Sequence, residues 1–152
     1  MSIMDKVESQ IKVYEHLLSY FLPSGILDFF DVTWVDERSL SSRESKQDVL
    51  YTSILQIHLD ERDNRPEGME DFHPNGFTEP TIVNDFPVRD RKMELHIRRR
   101  RWQSPDGHNV VLNIYPLAVT GTRYSAEFAA FLKDTLGYDP DYGPFAGAFL
   151  HD

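Results

Sequence analysis

Four consecutive arginines, Arg98–Arg101, follow an alternating apolar pattern, and this junction constrains the fold more than any other stretch of the chain. Met93, Leu95 and Ile97 occupy every second position, which predicts a half-buried strand over Lys92–Trp102. The same alternation sends two of the four arginines toward the buried face. Because an unpaired charge is costly in a core, we expect the apolar face to end at Ile97 and the arginines to lie at a sheet end or on a protruding hairpin.

Periodic patterns elsewhere predict two amphipathic helices and several more strands. Apolar residues three and four apart indicate a helix, whereas apolar residues two apart indicate a strand with one buried face. In the strand predicted over Leu50–Asp60, the core-facing set is Ser53, Leu55, Ile57 and Leu59. The other predicted elements are a helix over Lys6–Leu22, a short turn over Ile26–Phe30, a weak strand near Val32 and Trp34, strands over Thr81–Val83 and Asn109–Tyr115, and a helix over Ser125–Leu136.

Turn-forming residues predict how these elements connect. The sequence Ser104-Pro105-Asp106-Gly107 is a strong hairpin signal, because proline presets one turn dihedral and glycine tolerates a positive φ. Segments 38–49 and 61–76 are polar or rich in proline and glycine, so we expect flexible loops there and an irregular tail over 137–152. The whole pattern predicts a single α+β domain over 1–152, with a small antiparallel sheet and a central hairpin, flanked by an N-terminal and a C-terminal helix.

Composition excludes several classes of protein. The chain has 152 residues, the usual size of one domain, and no cysteine, which rules out disulfides, thiol catalysis and cysteine-ligated metals. No apolar run approaches the roughly 20 residues that span a bilayer, and the N-terminal stretch has no secretory-signal pattern. We therefore expect a cytoplasmic protein without membrane partners.

The charge is unevenly distributed along the chain. The formal net charge is -9, yet the segment from Asp85 to Arg101 carries seven bases and three acids. Screening at physiological salt limits long-range repulsion to about 8 Å, so a local basic edge remains able to meet a polyanion.

The histidines and acids give one weak catalytic pattern. The six histidines are dispersed, and we expect His58 and His96, both on predicted strands, to be surface or hydrogen-bonded side chains. Asp85, Glu94 and His96 resemble the metal-binding carboxylates and adjacent base of the restriction-nuclease fold. The alternative, charges on a strand surface, is favoured, so we predict no metal, no cofactor and no catalytic residues.

The arginine block itself has two interpretations. A run of charges is commonly a solvated face, and Trp102 beside it would then simply cap the core. Arginines with an adjacent aromatic also suit phosphate contact with stacking. If all four arginines bind phosphates on duplex DNA, the slope of log affinity against log salt should be near -3.6, at about 0.9 per phosphate.

The segments DFPVRDRKMELHIRRRRW, GTRYSAEFAAFLK, LPSGILDFFDVTWVDE and ILQIHLDE resemble the short N-terminal-region protein of ISAon-type bacterial insertion-sequence transposases. The resemblance spans most of Leu22 to Lys133. More distantly, the hairpin is similar to the N-terminal domain of ISL-type transposases, where cysteines bind zinc. Those cysteines are missing here, so zinc binding does not carry over.

This resemblance implies a non-catalytic accessory domain that recognises insertion-element ends beside a catalytic transposase subunit. The expected DNA contacts are Arg98, Arg99, Arg100, Arg101 and Trp102, helped by Arg89, Arg91 and Lys92. Two alternatives stay open. One is a protein-interaction module that docks on the catalytic transposase subunit, and the lesser one is a metal-dependent nuclease that uses Asp85, Glu94 and His96.

Overall fold

A computed structural model describes residues 2–40, 51–118 and 123–136 of the chain. Along the described chain, seven strands lie between an N-terminal and a C-terminal α-helix. The elements are α1 (Ile3–Leu18), a short 3-10 helix (Ile26–Asp28), β1 (Phe30–Ser39), β2 (Ser53–Glu61), β3 (His73–Phe77), β4 (Thr81–Val88), β5 (Arg91–Arg98), β6 (Arg100–Gln103), β7 (Asn109–Val111) and α2 (Ala126–Leu136).

The main sheet has four strands in the order β1-β2-β5-β4. β1 pairs with β2 and β4 pairs with β5 in antiparallel fashion, and β4 and β5 form a hairpin at one edge of the sheet. β2 and β5 run parallel, from Ser53 opposite Arg91 to Asp60 opposite Arg98. The predicted α+β class with a helix at each end is confirmed, but the main sheet is mixed where an antiparallel sheet was predicted, because the pairing of β2 with β5 is parallel.

One face of this sheet carries the core. The alternation predicted for β5 is confirmed, since Met93, Leu95 and Ile97 are buried; in β2 it holds at Ile57 and Leu59, whereas Ile54, outside the predicted core-facing set, is buried as well. The residues that cover this face come from connecting segments: Leu22, Ile26 and Phe30 from the link between α1 and β1, and Leu117 from the stretch after β7.

The second sheet has three antiparallel strands in the order β3-β6-β7. The turn at Ser104–Gly107 joins β6 to β7 as predicted, with Gly107 at φ 89. β3 lies partly inside 61–76, which was expected to be a loop. It occupies a sheet edge, where the missing N–H of Pro74 removes no necessary ladder bond.

The strand predicted over Lys92–Trp102 is divided at Arg99, where the chain passes from the main sheet to the second sheet. The backbone of Arg99 bonds to Thr78 instead of continuing the ladder: its N–H donates to Thr78 Oγ1 at 3.0 Å, and its carbonyl accepts from Thr78 N at 2.7 Å. β7 is shorter than the predicted Asn109–Tyr115 because the carbonyl groups that follow it turn toward the Arg99 guanidinium.

The remaining sequence expectations differ from the structure mainly in their boundaries. β1 is a ten-residue strand where a weak one was predicted, and it includes Arg38 and Ser39 of the expected loop. β4 extends to Val88 because it pairs with β5 along that length. The rest of the predicted loop from residue 41 and the tail 137–152 lie outside the described residues.

Helix α2 is held against the edge of β4. Ser125 is fully buried and caps the helix, as predicted: its Oγ accepts from Phe128 N at 3.3 Å and donates to Asp85 Oδ1 at 2.6 Å. A separate apolar cluster forms there from Tyr124, Phe128 and Leu132, with Ala129. Phe131 was expected in the buried face but is 42% exposed. The side chain of Leu136 lies outside what is described.

We expect Leu132→Ala to destabilise the fold by about 2–5 kcal/mol, because it leaves a cavity at a fully buried position. Phe131→Ala, on the same helix, should cost clearly less because its ring is half exposed. Urea unfolding followed by circular dichroism measures both. Equal losses would mean that the helix face has been assigned incorrectly.

Candidate binding surfaces and buried charges

Glu61 is the buried centre of the arginine block. Its side chain is 1% exposed and lies 3.2 Å from Arg99 Nη1 through Oε2. Its other oxygen, Oε1, accepts from the backbone N–H of Arg100 at 2.9 Å, and the Arg100 Nε donates to the Glu61 carbonyl at 2.7 Å. Arg99 also donates to the Tyr115 carbonyl at 2.7 Å. These contacts fasten the end of β2 to the junction between the two sheets.

The core therefore accepts one arginine that was expected to be excluded from it. The side chain of Arg99 is 18% exposed, and Glu61 supplies the opposite charge that makes this burial possible. Sequence reasoning missed Glu61, although a signal was present. Glu61 comes two residues after Leu59 in β2, and Arg99 comes two residues after Ile97 of β5. By strand alternation both side chains therefore point to the core face.

Arg98 and Arg101 are nearer the surface than Arg99 and Arg100. Arg98 binds Asp60 through two bonds of 2.8 and 2.6 Å, and its side chain is 44% exposed. The guanidinium groups of Arg98 and Arg100 both lie over the Phe77 ring, at 4.6 and 5.0 Å. This places them on one face, as predicted. Arg101 is exposed, and its Nε donates to the Asn75 carbonyl at 3.2 Å.

Trp102 is an anchor of the second sheet. It is 1% exposed, and Arg65 lies over its ring at 4.5 Å. Arg65 in turn donates to Asp63 Oδ2 at 2.8 Å and to the Phe72 carbonyl at 2.7 Å. A ring buried in this way does not offer a face to a nucleic-acid base, so the expected stacking contact is wrong in this structure.

The other basic residues predicted to bind DNA lie at the opposite end of β5 from the arginine block. Arg89 is exposed in the turn between β4 and β5, with a φ of 59, and Lys92 is half-buried. Arg91 donates to Glu37 at 2.6 Å. β5 has eight residues, so about 23 Å of strand separates this group from the arginine block. The eight residues predicted to bind DNA therefore do not form one basic patch.

The residues of the predicted nuclease site are also separated. Asp85 pairs with Met93 and is buried on the core side of the sheet, whereas Glu94 and His96 lie on the other face with their own neighbours. Neighbouring residues of a strand point to opposite faces, so the Asp85 and Glu94 carboxylates do not converge on one metal ion.

Both strand histidines have hydrogen-bond partners, as expected. His58 Nε2 lies 2.8 Å from Asp36 Oδ1, and His96 Nε2 lies 3.1 Å from Glu94 Oε1, with the two rings 4.8 Å apart. Within the described ranges, no three side chains of His, Asp or Glu are arranged to hold a metal ion.

Helix α1 presents an apolar stripe that the domain does not cover. No residue of the helix is buried, although Met4, Val7, Ile11 and Tyr14 follow one another three or four positions apart. Their exposed fractions run from 42% for Val7 to 66% for Met4. Ile11 and Tyr14 of this stripe line a cleft of about 370 Å³ together with Leu18, Leu27, Phe30, Val32 and the charged Glu15, Asp31 and Arg62.

The fold is thus an α+β domain with a mixed sheet, a buried acid–arginine cluster and an uncovered amphipathic helix. Comparisons with known protein families, curated proteins and solved structures found no match to this chain. Among the described residues, no helix has both the length and the apolar character needed to cross a membrane.

We expect Glu61→Gln to destabilise the fold by about 3–5 kcal/mol, because it leaves Arg99 partly buried without an opposite charge. Asp60→Asn is the matched control, because it removes the same charge one residue earlier, from a partner of the more exposed Arg98. Its effect should be much smaller. Chemical denaturation of both variants provides the test, and similar losses would contradict a special role for Glu61.

Asp85 should make stability depend on pH. Burial raises the pKa of its carboxyl above the ordinary value of 3.8, against the hydrogen bond from Ser125, which lowers it. A carboxyl whose pKa is higher in the folded chain than in the unfolded chain stabilises the fold below its unfolded pKa, and this contribution is lost as pH rises through the folded pKa.

We therefore expect the free energy of unfolding of Asp85→Asn, relative to the wild type, to rise with pH from about 3.8 upward. Denaturation of the wild type and of Asp85→Asn at a series of pH values from about 3.8 upward gives the difference between their free energies of unfolding. The other titrating groups are present in both proteins, so their contributions cancel in this difference. A difference that stays constant with pH would show that the Asp85 carboxyl titrates normally.

Proposed function

We propose that the chain is a non-catalytic binding module that acts through protein contact, as an accessory domain of an insertion-sequence transposase. The observation that carries the proposal is the apolar stripe of α1, which the domain leaves exposed from Met4 to Tyr14. The resemblance of the arginine block and of the C-terminal helix segment to ISAon-type proteins supports the transposase setting.

An exposed amphipathic helix requires a partner for physical reasons. α1 has 16 residues, little more than the length at which isolated helices are marginal in water, and most helical stability in proteins comes from packing of an amphipathic face. The N-terminus of α1 is fixed by a capping box, in which Asp5 N donates to Ser2 Oγ at 3.1 Å and Ser2 N donates to Asp5 Oδ2 at 3.3 Å. A helix that is capped but unpacked is suited to dock by its apolar face onto another helix.

The charges favour protein contact over DNA contact as the main function. Arg98 and Arg99 are neutralised by Asp60 and Glu61, and Arg91 by Glu37, in a chain whose net charge is -9. DNA binding stays a second candidate because the side chains of Arg98, although paired with Asp60, and of Arg101 are exposed at the junction between the two sheets. Two phosphate contacts give a salt slope of about -1.8 on duplex DNA, half the value expected for four.

The test is co-expression of the full chain with the catalytic transposase subunit of an ISAon-type insertion element. We expect a complex with the wild type that is lost in Ile11→Asp, which places a charge in the stripe. Ser9→Asp is the matched control, since it adds the same side chain to an exposed position outside the stripe. The complex should survive this change.

A parallel titration with element-end DNA separates the two functions. Protein docking predicts no measurable salt-dependent affinity for the isolated chain. A slope of about -1.8 that is lost in an Arg98→Gln/Arg101→Gln variant, together with no transposase complex, would replace the proposal with the DNA-binding function.

A further inference from the structure

We propose that a pocket between the segment that follows α1, the end of β4 and the start of α2 binds an alkylammonium group. The observation that carries this inference is a buried carboxylate in the pocket wall, Asp85, with one oxygen that has no hydrogen-bond partner among the described residues. The site is separate from the α1 stripe and does not depend on the proposed function.

The pocket brings together three segments that are distant in sequence. It has a volume of about 250 Å³ and is lined by Tyr20–Pro23 after α1, by Asp85–Val88 at the end of β4, and by Glu127 in the first turn of α2. Pockets that hold drug-sized ligands have volumes of about 300 to about 1,000 Å³. This pocket is therefore suited to a smaller group, of the size of an amino-acid side chain.

Asp85 leaves one hydrogen-bonding position open to a ligand. The residue is 3% exposed, and its Oδ1 accepts from Ser125 Oγ at 2.6 Å, whereas its Oδ2 has no partner in the described part of the chain. A buried polar atom without a partner costs free energy, and such atoms are few in folded proteins. A ligand that donates a hydrogen bond to Oδ2 would remove this cost.

The charge of the pocket favours a cation as that ligand. Burial is the largest cause of the raised pKa of Asp85, and the nearby charge of Glu127 raises this pKa further, so the two carboxylates are close enough to repel each other. Among the described residues that line the pocket, none is basic. The positive end of α2 carries only about half an elementary charge, so it offsets part of the negative charge and leaves the rest for a ligand.

The walls of the pocket favour an organic cation over a metal ion. Ca²⁺ takes about six to eight oxygen ligands, whereas two carboxylates line this pocket and one oxygen of each is already bonded, since Ser24 N donates to Glu127 Oε1 at 2.8 Å. The rings of Phe21 and Phe86 also line it. Aromatic rings attract ammonium groups, and an alkyl chain packs against them.

The first experiment is a titration of the nitrogen-15-labelled full chain with butylammonium at neutral pH, followed by backbone amide chemical shifts. We expect saturable shifts around Leu22 and Phe86, with a dissociation constant in the millimolar range that is usual for one small group. Butan-1-ol, which has the same alkyl chain without the charge, should bind at least about tenfold more weakly. Absence of saturable shifts, equal binding of butan-1-ol, or displacement of butylammonium by Mg²⁺ overturns the inference.

The second experiment removes one charge at a time from the pocket. Asp85→Asn and Glu127→Gln keep the size of each side chain, and each should weaken butylammonium binding by at least about fivefold. Asp134→Asn is the matched control, because it makes the same change at an exposed position of α2 outside the pocket, and binding should stay within about twofold.

The exposed position of Glu127 keeps this test valid if Asp85→Asn does not fold. Binding that is unchanged by Glu127→Gln, or by a folded Asp85→Asn variant, overturns the inference.

The source of the ammonium group and the proposed function are tested separately. Ile11→Asp lies outside the pocket, so it should leave butylammonium binding within about twofold even if it abolishes the transposase complex. Butylammonium binding without any transposase complex supports the site and overturns only the proposed function. A transposase complex that is lost in Glu127→Gln identifies a Lys side chain of that partner as the source, and a complex that survives identifies a free amine.

Discussion

The contact between Glu61 and Arg99 is the interaction on which the arrangement of the two sheets depends. It joins the last residue of β2 to the residue at which the chain leaves the main sheet for the second one. A single carboxylate here satisfies a side chain and a backbone N–H of consecutive residues. Such a pair gains little net stability over apolar packing, but loss of one partner is severe because the other charge stays buried. It therefore fixes geometry more than it adds stability.

This interaction also changes the meaning of the most conspicuous motif in the chain. Four consecutive arginines resemble a site for polyanions when they are considered as a sequence. In the folded chain they divide into a partly buried member, Arg99, a member bonded to the backbone of Glu61, Arg100, and two members nearer solvent. The charge that is available to a ligand is consequently much smaller than the count of bases suggests.

Local patterns predicted most of the secondary structure, and the remaining differences have specific physical causes. The alternation in β2 and β5, the turn at Ser104–Gly107 and the Ser125 cap are local and were identified correctly. The parallel pairing of β2 with β5 depends on contacts distant in sequence, which periodicity does not encode. β3 was missed because pairing with β6 overrides the local turn signals of Pro74 and Gly76. Of the candidate site, the shared face of Arg98 and Arg100 was predictable, whereas the burial of Arg99 needed Glu61 to be recognised as its partner.

The outer strand of the main sheet shows how the domain avoids unwanted contacts. β1 pairs only with β2 among the described residues, so ten residues of backbone form a border of the sheet, with Trp34 66% exposed. Exposed edge strands can pair with strands of other molecules and lead to aggregation. Here the ladder is irregular between Val32 and Trp34, and Asp36, Glu37 and Arg38 follow after Val35. Irregular pairing and clustered charge are features by which natural sheets resist such growth, so β1 is poorly suited to pair with a strand of another chain.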